Sequence, residues 1–140
     1  IQTSHSHPFG LSHYMPVAGG VPGAADLGMN RQFWGFTTGS VTPWLIEQLP
    51  DGGSVWLCDT TPLAWAMLQA DGSVPRNIGV ARSMSEADFA LVHHERHFAE
   101  VDYQIWAAYG TSSPVHVVRY DGVPIISVYE NPTRHVATDD

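Results

Sequence analysis

Ser54-Val55-Trp56-Leu57-Cys58-Asp59-Thr60-Thr61-Pro62-Leu63-Ala64-Trp65-Ala66-Met67-Leu68-Gln69 reads as a strand that hands over directly to a helix. Its first five residues form a compact apolar run between turn signals, the pattern of a strand buried on both faces. Thr61 then stands before Pro62, an N-cap residue followed by the residue best suited to the first helical position. Leu63 to Gln69 is rich in Ala, Leu and Met, which lose little on entering a helix, and Asp71-Gly72 stops it.

Upstream, Thr42-Pro43 repeats the cap-then-proline signal, and Trp44, Leu45 and Leu49 fall mostly on one face. This predicts a short helix over 42–49, ended by Pro50-Asp51-Gly52-Gly53. Downstream, Val74 to Val80 contains Pro75 and Gly79 and reads as a short edge strand or a loop. Phe89-Ala90-Leu91-Val92 is a second apolar run, read as a buried strand. Phe98, Val101, Ile105 and Ala108 then recur at helical spacing up to Gly110. Val115 to Tyr120 and Val123 to Tyr129 flank Asp121-Gly122, and such a dipeptide between two β-rich runs signals a hairpin with a type I′ turn.

The order of elements predicts an α/β fold: a small, partly parallel mixed sheet with flanking helices and a C-terminal β-hairpin, preceded by a long ordered loop. The expected division is residues 1–37 as the loop, 38–132 as the α/β domain and 133–140 as a polar tail. The opening third is dense in glycine and aromatics but shows neither strand alternation nor a helical stripe, and Pro8, Pro16 and Pro22 interrupt any helix that starts there. Aromatic side chains order only where they have something to pack against, so this loop is expected to lie over a surface.

Fourteen acids face six arginines and no lysine, for a net charge of −8, which excludes the basic patch that nucleic acid requires. No run approaches the roughly 20 apolar residues needed to span a bilayer. Depletion of basic residues suits a domain on the outer side of a membrane. Ile1 in place of an initiator Met, with no signal-like run behind it, reads as a piece of a longer protein.

Cys58 is the single cysteine, and its acidic neighbour Asp59 favours a packed thiol over a nucleophile. His93 and His97 have metal-ligand spacing on a helix, with His94 between them, but the intervening residues are not those of a zinc-peptidase helix. On a strand, His93 and His94 would point to opposite faces. Two readings stand for this cluster and for His5 and His7: metal ligands, or surface histidines. Phe9, Tyr14 and Trp34, with Asn30 and Arg31, either contact a sugar or phosphate or pack the opening segment onto its support.

The order His7-Pro8-Phe9-Gly10-Leu11-Ser12-His13-Tyr14, Gly19-Gly20, Trp34-Gly35, Trp44-Leu45 resembles the segment after the last membrane helix of bacterial polytopic glycosyltransferases of the protein-mannosyltransferase-like, family 39-like group. Ala87-Asp88-Phe89-Ala90-Leu91-Val92, and Pro114-Val115-His116-Val117-Val118 with Gly122-Val123-Pro124 and Ile126-Ser127-Val128-Tyr129, are similar to that family's later strand and terminal hairpin. The resemblance implies a C-terminal, extracytoplasmic (periplasmic) domain of an integral membrane enzyme that draws sugar from a polyprenyl-phosphate carrier. It implies no catalytic base and no cofactor in this chain. The partners it implies are the membrane-embedded part of the same protein, contacted through His7, Phe9, Tyr14, Asn30, Arg31 and Trp34, and a lipid-linked sugar or acceptor. The alternative is a free-standing, histidine-rich metal-binding or interaction module.

Overall fold

The computed structural model describes residues 9, 14–29, 36–95 and 98–134. Five strands form one mixed sheet: β1 (Gly53–Leu57), β2 (Ile78–Val80), β3 (Phe89–His93), β4 (His116–Tyr120) and β5 (Val123–Glu130), in the spatial order β2-β1-β3-β5-β4. β2, β1 and β3 run parallel, with Gly53 opposite Ile78 and Val55 opposite Phe89. β5 is antiparallel to both β3 and β4, so the C-terminal hairpin closes one side of a parallel half-sheet. The hairpin turn has φ of 48° at Asp121 and 79° at Gly122, the two positive values a type I′ turn needs.

The fully buried strand is β3, at the centre of the sheet; β1 buries only Val55 completely, against the expectation of burial on both faces. A central strand has neighbours on both edges and layers on both sides, whereas β1 is flanked by the three-residue β2. Alternation along β3 divides the core. Phe89 and Leu91 pack with Val55, Leu45, Trp65 and Ile78 on one face. Ala90 and Val92 pack with Ile105, Tyr109 and Tyr129 on the other.

Among the described residues, four α-helices cover these faces: α1 (Gly20–Asp26), α2 (Thr42–Gln48), α3 (Pro62–Ala70) and α4 (Ala99–Tyr109). Thr61 caps α3 as read from the sequence, its hydroxyl accepting from the Ala64 N–H at 3.1 Å. Trp65 of α3 is buried and its indole N–H donates to the Ile78 carbonyl at 3.0 Å, tying the crossover helix to the strand it leads into. Thr42 is not a cap. A 3-10 turn over Phe36–Val41 runs straight into α2, and the Thr42 hydroxyl donates back to the Gly39 carbonyl at 2.9 Å. α4 ends at Gly110, with φ of 70°, as predicted, but Tyr109 and not Ala108 completes its buried face.

The opening third is not one continuous loop. Pro16–Ala18 is a 3-10 turn and Gly20–Asp26 a helix that contains Pro22. Pro22 is the third residue of α1, where its missing N–H has no intrahelical acceptor to lose, so proline is compatible with the first turn. Val21 and Ala24 of α1 are buried, and Val21 joins the core beside Val41 and Leu45. Burial of a valine side chain contributes about 1.5–3 kcal/mol, enough to hold so short a helix in place. At the other end, Asn131 is 2% exposed and anchors the chain to the residues before β3.

Candidate binding crevice at the carboxyl ends of β1 and β3

From β1 the chain crosses by α3 on one face to β2; from β3 it continues into α4 on the other face and on to the hairpin. The connections diverge between β1 and β3, and in open α/β sheets such a divergence opens a crevice beyond the carboxyl ends of the two strands. Here those ends carry Cys58-Asp59-Thr60 and His93-His94-Glu95.

His93 has no exposed surface. Its Nε2 lies 2.8 Å from the Thr38 hydroxyl, which is itself hydrogen-bonded to the Thr60 hydroxyl. Nδ1 faces the Cys58 sulfur at 3.8 Å, and the His93 backbone N–H donates to that sulfur at 3.3 Å. The 3-10 turn that carries Thr38 is thereby tied to the ends of both parallel strands.

Burial pulls the His93 imidazole down to about 4, with neighbouring His94 adding to the effect and the charge of Asp59 opposing it. Burial likewise pushes the Cys58 thiol up to about 12; the charges of Asp59 and Asp102 add to the shift and the His93 N–H opposes it. A nucleophilic pair needs a thiolate beside an imidazolium, and both shifts run the opposite way. The cluster is therefore a neutral polar brace, and Cys58 is the packed thiol read from the sequence.

His94 points to the opposite face, as strand geometry requires, and its Nε2 lies 2.8 Å from the Ser127 hydroxyl of β5. Between the end of α1 and the start of α4 a cavity of about 570 Å³ opens at this level. Its described lining includes Asp26 and Met29 from the end of α1, Phe98 and Asp102 from the start of α4, and His93, His94 and Glu95 from the end of β3. Asp102 accepts a hydrogen bond from the Tyr129 hydroxyl at 3.2 Å, which fixes its carboxylate. Glu95 is only 7% exposed.

The residues singled out in the sequence divide unevenly. His93 and His94 meet the cavity. Phe9 lies elsewhere, stacked on Tyr120 of β4 with ring centroids 5.1 Å apart, and so packs within the chain. Tyr14 is half-buried and burial raises its hydroxyl; it is not among the cavity residues. His5, His7, Asn30, Arg31, Trp34 and His97 lie outside the described residues. Among the described residues no three or more His, Cys, Asp or Glu side chains gather as metal ligands, and no helix is long and apolar enough to cross a membrane.

Thr38, Thr60, Asp26, Glu95 and Asp102 were not singled out from the sequence. The signal for two of them was available: Thr60 and Glu95 each follow a predicted strand by two or three residues, where an α/β sheet places its ligand-facing loops. Compared with known proteins, the chain matches no family model, no curated protein and no solved structure.

Proposed function

We propose that the chain is a non-catalytic, extracytoplasmic domain of a membrane glycosyltransferase that uses a polyprenyl-phosphate-linked sugar, and that its role is docking and support. The observation that carries the non-catalytic part is the Cys58–His93 pair. It stands at the crevice where this architecture places its chemistry, with the thiol raised to about 12 and the imidazole lowered to about 4. Groups so shifted neither attack nor exchange protons near neutral pH. The ordered motifs from His7-Pro8 to the terminal hairpin support the glycosyltransferase setting.

On this reading the membrane-embedded part supplies the acid and base, and the crevice domain holds an acceptor or donor near it. The test pairs two measurements. The purified 140-residue chain is expected to transfer no sugar from a lipid-linked donor, and the protein containing its membrane part is expected to retain transfer when Cys58→Ser is introduced. Turnover by the isolated chain, or loss of transfer with a stably folded Cys58→Ser variant, would overturn the proposal.

A further inference from the structure

We draw no further inference here: the strongest candidate, the uncharged outer face of α3 on which Leu63 and Met67 are 73% and 65% exposed, is an unpartnered apolar face, and nothing in the structure shows what covers it.

Discussion

At the amino ends of β1 and β3, polar side chains are spent on closing the structure. Asp88 accepts from the Ser54 N–H at 2.7 Å, the Ser54 hydroxyl at 3.1 Å and Arg134 Nε at 3.0 Å. Asn131 donates to the Ala87 carbonyl at 2.8 Å and accepts from Thr133. Gly52, at φ of 97°, sits so close to Asn77 that a Cβ would come within 2.7 Å of its carbonyl oxygen. At the carboxyl ends of the same strands the backbone opens instead. One cluster there, Thr38, Thr60, His93 and Cys58, braces the strands, and the cavity beside it keeps three carboxylates at its surface. The same strands thus have a sealed end and an open end, and a polar residue near a strand has to be read with its end in view.

The contrast breaks most visibly if Cys58 proves reactive. With its thiol raised to about 12 from an ordinary 9.0, the thiolate fraction near pH 8 falls about 10³-fold relative to the unfolded chain. Iodoacetamide should therefore label native protein about a thousand times more slowly than urea-unfolded protein. Equal rates would mean that the open end reaches down to the brace.

The next largest effect is acid sensitivity. His93 titrates near 6.5 when unfolded and at about 4 when folded, so between these values the unfolded chain takes up a proton that the folded chain refuses. Stability from this residue is complete above pH 6.5 and is lost as pH falls toward 4, by roughly 3 kcal/mol in all. His93→Gln, which keeps hydrogen-bonding capacity but does not titrate, should flatten urea-derived stability across that window. An unchanged slope would place the charge-sensitive group elsewhere.

Much of this fold was legible because local signals agreed with the tertiary result. Thr61-Pro62 marked the start of α3, Asp121-Gly122 fixed the hairpin, and the run Phe89–Val92 became the central strand. α1 was missed because Pro22 was read as a breaker without asking where in a helix it would fall, and because two buried residues, Val21 and Ala24, are too few to produce a periodic stripe. The crevice was half legible. His93 and His94 drew notice as histidines, but Thr38 comes from 55 residues upstream of His93, and no local pattern encodes that meeting. Asp26 and Asp102 face one cavity only because α1 and α4 approach the same strand end from different sides.

The smallest expected effect belongs to the sealed end, and its pH window separates the two ends. Burial by itself would raise the Asp88 carboxyl, but the hydrogen bonds from Ser54 and Arg134 together outweigh it and hold the group below its usual range. Its contribution is complete above the unfolded value near 3.8 and disappears as pH falls through the lower folded value. Arg134 is 46% exposed, so its ion pair adds little, and the bond that matters is the one from the Ser54 backbone. Asp88→Asn keeps an acceptor for that N–H and loses only its charge assistance, a cost of about 1–2 kcal/mol at pH 7. Variant and parent should converge only as pH falls from 3.8 through the lower folded value, whereas the His93→Gln difference will already have developed by pH 4. If both variants changed the same pH window, the two ends would be titrating as one unit, and the division between a sealed and an open end would fail.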